Sequence, residues 1–333
     1  VSVYFDIVFS TLFVCECSID IGNHIHHCTM GIWCDWEAQG TRLSQNLLHD
    51  NQRPAFAKQL KGGMMCQDIF VEVGHGPTLI DNNILLSDVS LRFATQGVAM
   101  VHNLICGALT CVGEGTGWRY TPYHMPHRTE VMGFMTILHG DDRFYNNIFV
   151  QKWPSEDFIT MHDSDDGFDS ENRRVGTWMF DEYPTYDEWI SQFDFTKPAD
   201  MKKLEPVHFD HLPVWSEGNV YLNGAKAWKH EKDGFVSSEN AKVELTEKDG
   251  KYILDTNIYE ILGDFSDRMI NTEILGKAFE PEEFFENPDG TPIRFDSDYF
   301  GGHRGAKVIP GPFAEKEEIG KNVNMSTCAL NKL

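Results

Sequence analysis

Short apolar pieces, each introduced by an asparagine, recur through the first half of the chain. Gln45-Asn46-Leu47-Leu48, Asn82-Asn83-Ile84-Leu85, His102-Asn103-Leu104-Ile105 and Asn146-Asn147-Ile148-Phe149 share this wording, and Asn219 before Val220-Tyr221-Leu222 repeats it later. From Asn23 the asparagines advance by 23, 37, 20 and 44 residues to Asn147. A unit of about 20–23 residues interrupted by inserted loops accounts for these steps, and periods of that size indicate stacked repeats. The spaced leucines of leucine-rich repeats are missing. Short strands and turn asparagines predict an all-β fold, a right-handed parallel β-helix with long inserted loops and additional C-terminal β strands. Its asparagine side chains would form hydrogen-bonded ladders from coil to coil.

The text divides the chain into four parts. Residues 1–22 are a poorly matched N-terminal segment. Their apolar patch lacks an initiating Met and a basic n-region, and Asp6 interrupts it, so it reads as a strand-like remnant or the inside of a longer protein rather than a signal peptide. Residues 23–153 hold the coils. Residues 154–206 are an acidic, aromatic excursion without regular period, expected to pack with short helices. Residues 207–333 continue the same domain as β-rich text and capping loops. Within them, 241–257 reads as a hairpin of two alternating strands around Lys248-Asp249-Gly250, and the charged residues from about Glu315 as a frayed end.

Charge narrows the partners. With 28 basic against 51 acidic residues the formal charge is −23. Such a surface repels nucleic acid and anionic membranes but tolerates a neutral sugar. No apolar run reaches spanning length. The eight cysteines include no CxxC pair, so they read as free buried thiols of a reducing, cytoplasmic setting, with no structural zinc. No cofactor or metal is expected. Asp163, Asp165, Asp166 and Asp169 lack the order of an EF-hand and read as a solvated acidic loop.

The register marks expose candidate chemistry. Asp35 lies 11 residues before Asn46, and Glu72 lies 11 before Asn83, so both intervals between copies are 37. In neighbouring coils the two acids occupy one place on adjacent strands, about 4.8 Å apart. Carboxyls so stacked are roughly 5–5.5 Å apart, the separation that retaining glycosidases use for nucleophile and acid/base. Both sit in apolar text, IWCDW and IFVEV, where burying a carboxylate is costly. Glu72, among apolar neighbours and near a second carboxylate, is expected to titrate high, as a general acid must. The bland alternative is a pair of exposed strand acids in register by chance.

Counting 11 back from Asn103 gives Arg92, which would stack beside Glu72 or simply cover the surface. His75 follows Glu72 by three residues, as a sugar contact or a turn histidine. Trp33 and Trp36 flank Asp35; one would stack on a sugar ring while the other points into the core. Gln39 and Arg42 are weaker contacts. The loop around Trp118, His124 and His127 is a candidate subsite wall.

These residues are similar to a known family. GIWCDWEAQGTRLSQNLLHDN, DIFVEVGHGPTLIDNNILLS, VGEGTGWRYTPYHMPHRTE and HGDDRFYNNIFV together resemble the β-xylosidases of glycoside hydrolase family 120. The resemblance implies a retaining enzyme that releases xylose from the non-reducing end of xylo-oligosaccharides such as xylobiose. It implies Asp35 as nucleophile and Glu72 as acid/base. The family's chains are longer at the N-terminus, so this chain resembles their C-terminal part, and its QRPAFAKQLKGGMMCQ excursion is longer than the family's loop. Two readings from other classes stand beside this one: a β-helix polysaccharide lyase or arabinosidase, and an inactive carbohydrate-binding solenoid fragment, with a homo-oligomer capping the open strand edge.

Overall fold

A computed structural model of the chain describes residues 18–36, 38–52, 66–111, 120–152, 175–204, 210–315 and 323–325. The strands begin with β1 (Ile19–Ile21), β2 (His24–His26), β3 (Met30–Cys34), β4 (Thr41–Ser44), β5 (Leu47–His49) and β6 (Gln67–Glu72). They continue with β7 (Thr78–Asp81), β8 (Ile84–Leu85), β9 (Val89–Ala94), β10 (Val98–Val101), β11 (Leu104–Ile105) and β12 (Ala108–Cys111). An antiparallel ribbon, β13 (Tyr120–His124) and β14 (Val131–Thr136), interrupts the parallel strands. They resume as β15 (Asp142–Tyr145), β16 (Ile148–Val150), β17 (Val214–Glu217), β18 (Val220–Leu222) and β19 (Phe235–Ser237).

The expected single right-handed parallel β-helix needs correction. The parallel strands separate into three sheets of six, seven and four strands, and no closed solenoid runs through the described residues. The first sheet is ordered β1-β4-β7-β10-β15-β17, the second β19-β18-β16-β11-β8-β5-β2, the third β12-β9-β6-β3. Among the described residues the third ends at β12. In its place the single turn of 3-10 helix Trp178–Phe180 brings Phe180 to 5.6 Å from Phe93 and 5.0 Å from Phe144, ring centre to ring centre. A multi-sheet parallel architecture with a few short helices is therefore what forms.

Each sheet sends one row of side chains into a shared core. Leu43, Ile80, Met100 and Phe144 align across the first sheet. Leu48, Leu85, Ile105, Phe149 and Tyr221 align across the second. The third supplies two such rows, Ile32-Ile69-Leu91-Leu109 and Cys34-Val71-Phe93-Cys111. Alternation then points the residues between them to the other face. On the first two sheets those outer faces carry buried apolar side chains, Leu79, Ala99 and Val101 on one, beside Arg42, Asp81 and Arg143, and Ile84, Leu104 and Ile148 on the other. C-terminal segments bury both.

The asparagine ladder forms as expected. The side-chain oxygen of Asn46 accepts from the backbone of Asn23, that of Asn83 from Asn46, that of Asn103 from Asn83, that of Asn147 from Asn103, and that of Asn219 from Asn147, at 2.8–3.0 Å. The last rung ends on Glu231, which accepts from the Asn219 N–H at 3.0 Å. The residue before each ladder asparagine has a positive φ: Gln45, Asn82, His102 and Asn146 at 53° to 60°, Gly22 at 72° and Gly218 at 69°. That left-handed step turns the chain between sheets.

The predicted hairpin is present as β20 (Val243–Lys248) and β21 (Lys251–Thr256), with Asp249 and Gly250 both at positive φ. Two small pairings follow: β22 (Asp267–Arg268) with β23 (Lys307–Val308), and β24 (Val323–Asn324) with β21. The latter corrects the expectation of a wholly frayed tail. The described cysteines 28, 34, 66, 106 and 111 are free thiols.

Candidate active site

The outer face of the third sheet differs from the other two. Across it run Trp33, Phe70, Arg92 and Thr110 in one row, and Glu72 opposite Ala94 in the next. Cys34 pairs with Val71, so Asp35 and Glu72 each follow that pair by one residue. The 37-residue interval read from the sequence is thus the interval of the sheet. It recurs between Thr41 and Thr78 in the first sheet and between Leu47 and Ile84 in the second. Both acids are half-buried.

Trp33 joins the two strands. Its indole Nε1–H donates to Glu72 Oε2 at 3.0 Å, and its ring stacks on Phe70 with centroids 6.0 Å apart. The buried Arg92 guanidinium lies over the other ring of that stack, 5.8 Å from the Phe70 centroid. Asp35 Oδ1 accepts from the Trp36 N–H at 2.8 Å, and Trp36 is 47% exposed. Neither tryptophan enters the core: Cys34, between Trp33 and Asp35, takes the inward position.

Arg92 is not beside Glu72, as the count from Asn103 suggested, but opposite Phe70, two residues earlier. The reason lies in the corners. Five residues, 73–77, connect β6 to β7, while three, 95–97, connect β9 to β10. The count therefore slips by two, which preserves the face but moves the side chain along it.

Three other expected contacts are engaged within the protein. His75 is buried, its Nε2 bonded to the Thr121 carbonyl at 3.1 Å and its ring edge-on to Tyr123 at 5.5 Å. Burial lowers its pKa to about 4, so it is neutral at pH 7. Gln39 donates to the His124 carbonyl at 3.0 Å and to Glu283 Oε2 at 2.6 Å, and accepts from the His124 N–H at 2.9 Å. His124 is buried, with Nδ1 at 3.2 Å from the Thr129 carbonyl. Gln39 and His75 pin the β13–β14 ribbon to the sheets, and His124 braces the ribbon's own turn. Arg42 is a two-pronged partner of Asp81, at 2.8 and 2.9 Å. Trp118 and the acidic loop 163–169 lie outside the described residues.

Two residues on this face escaped the sequence reading. Phe70 is the floor between Trp33 and Arg92. Asp68, fully buried, accepts from Asn51 at 2.8 Å and from the Ser87 N–H at 3.1 Å; burial pushes its pKa up to about 7. Both were findable by stepping back from Glu72 by two and four, the period of a strand face. Among the described residues, no group of three or more His, Cys, Asp or Glu is arranged to hold a metal ion.

Comparison with known proteins gives one informative likeness. No family model matches the chain, and no curated protein matches it. A solved structure described as the complex of XylC with xylose is similar, at 32% sequence identity and a TM-score of 0.72. The likeness covers 90% of this chain and 41% of that one, so this chain spans less than half the length of the protein it matches.

Proposed function

We propose that this chain carries the catalytic pair of a retaining glycosidase that releases xylose from the non-reducing end of β-xylo-oligosaccharides. One observation carries the reading: Cys34 pairs with Val71 on adjacent strands, and Asp35 and Glu72 each follow that pair by one residue. The likeness to a protein solved with xylose supports the sugar. Carboxyls at adjacent-strand spacing would leave no room for a water between them, which supports a double displacement over a single one.

In this mechanism the Asp35 carboxylate attacks the anomeric carbon and forms a glycosyl ester. Glu72 gives its proton to the departing glycosidic oxygen. Glu72, now ionised, takes a proton from water as that water attacks the anomeric carbon and frees Asp35. The Trp33 indole N–H fixes one Glu72 oxygen and so orients the carboxyl for both transfers. Aromatic faces at Trp33 and the exposed Trp36 suit the C–H face of a pentose ring.

The test is release of nitrophenol from an aryl β-xyloside by the chain, beside Asp35→Asn and Glu72→Ala. The expected result is loss of turnover in both, with azide restoring Glu72→Ala on the activated substrate as a glycosyl azide of retained configuration. Turnover that survives Asp35→Asn would rule the mechanism out.

A further inference from the structure

We propose a second sugar-binding site on a different sheet, taking an uncharged saccharide against an aromatic platform. A cavity of about 490 Å³ opens on the outer face of the first sheet, where the segment around 274–282 meets β15 and β17. That volume is within the range of small-molecule sites, about 300–1,000 Å³. The Asp35–Glu72 pair belongs to the third sheet, so this cavity opens on a different sheet from the pair.

Trp215, Tyr186 and Phe279 supply the apolar lining. The Tyr186 and Trp215 rings are inclined by only 27° at 6.2 Å, and Phe279 stands edge-on to Trp215. The platform is rigid from below. The Arg143 guanidinium lies 4.5 Å from the Trp215 ring centre and 4.2 Å from that of Phe285. Its Nε–H donates to the Leu275 carbonyl at 2.7 Å, one amino group to the Lys277 carbonyl at 2.8 Å and the other to Asp141 Oδ1 at 2.7 Å. Tilting Trp215 would give up its contact with this buried, fixed guanidinium. Tyr186, by contrast, is 42% exposed and reachable from solvent.

The polar groups decide the ligand class. Arg143 has four of its five N–H donors bonded inside the protein and its charge paired with Asp141, which disfavours an anion. The rim carries Lys277 and Glu282, both exposed and of opposite sign, one donor and one acceptor. A ligand with an apolar face for the rings and hydroxyls for the rim, but no net charge, fits; that is a neutral sugar. The overall charge of −23 also disfavours a uronate polymer.

The test uses the full chain carrying Asp35→Asn, so that ligand is not consumed, titrated calorimetrically with xylohexaose. Adding Tyr186→Ala should weaken one class of sites about tenfold, the upper range of a ring-stacking contribution, while Tyr186→Phe retains it. An identical titration with Tyr186→Ala, or no binding of xylohexaose at millimolar concentration, would overturn the proposal. Aryl xyloside turnover by Tyr186→Ala in the otherwise unaltered chain should match the parent. Absence of turnover in the parent would count against the catalytic reading alone and leaves the titration decisive here.

Discussion

The asparagine ladder should be the most costly single feature to remove, and Asn83 is its best test. Its Oδ1 accepts from the Asn46 N–H at 2.9 Å and from the Asn46 side-chain amide at 3.1 Å. Its own amide donates to the Leu43 carbonyl at 2.9 Å and to Asn103 Oδ1 at 3.0 Å. Asn46, Asn83 and Asn103 are all fully buried. Alanine at this position deletes four hydrogen bonds and leaves the Asn46 donors facing a cavity. A buried polar group without a partner costs about 1–3 kcal/mol. Two such groups, with some weakening of the rungs beyond, give a loss of about 3–6 kcal/mol. Against a total stability of about 5–15 kcal/mol this is a large fraction.

Urea unfolding followed by far-ultraviolet circular dichroism measures it, with Asn240→Ala as the control. Asn240 is exposed, and its substitution should stay within about 0.5 kcal/mol of the parent. A loss below about 1 kcal/mol for Asn83→Ala would refute the reasoning. It would mean that water enters the corner and takes over the bonds, so that the ladder only accompanies the register.

Other perturbations have equally definite outcomes. Gly218→Ala should lower the thermal midpoint sharply, because φ is +69° there and an added Cβ would collide with the Asp267 carboxylate and the Asn146 side chain. Arg42→Met should cost about 3–5 kcal/mol in urea unfolding, since it leaves the fully buried Asp81 carboxylate without its guanidinium. Trp33→Phe keeps the ring on Phe70 but removes the bond to Glu72; aryl xyloside turnover should fall about tenfold with little change in stability. His75 gives a pH signature. Its folded pKa of about 4 lies below the ordinary 6.5, so between those values the unfolded chain takes up a proton that the folded chain refuses. Its contribution therefore falls as pH drops below 6.5, by about 3 kcal/mol at pH 4. The stability gap between the parent and His75→Phe should narrow over that range, and a constant gap would contradict the assignment.

Much of the register was legible because it is written in side chains that bond across coils. Asn23, Asn46, Asn83, Asn103, Asn147 and Asn219 could each be aligned by eye, and each occupies its rung. The position of Arg92 was not legible, because corner lengths have no such mark: residues 73–77 and 95–97 differ by two without any repeating residue to show it. The division into unequal sheets was hidden for a related reason. Phe180 closes the core from a 3-10 turn, and nothing in Trp178-Met179-Phe180 distinguishes a core-capping turn from any apolar run. Strand β13 was not legible within the loop around Trp118, His124 and His127, because the ribbon leaves Tyr120, Val131, Met132 and Phe134 exposed and offers no clear buried phase. The pairing of Val323-Asn324 with β21 is two residues long, too short to carry a local signal.

The position of the excursion in the sequence bears on the proposed pair. The segment between Gln52 and Cys66 falls after β5 and before β6, that is, between one copy of the register and the next. It lengthens the path between the two acids but not the piece of chain that places either one. From Cys34 to Leu47 the chain spends the same number of residues as from Val71 to Ile84, and both ends of that piece are paired in ladders. Asp35 and Glu72 are thus held by identical stretches, each fixed at one end by a core row and at the other by an asparagine rung. A change that alters the length of one stretch alone moves one carboxyl past the other by a full residue and turns it to the opposite face. The spacing proposed for the pair therefore follows the sheet, about 4.8 Å between strands, and the two short corners that follow each acid.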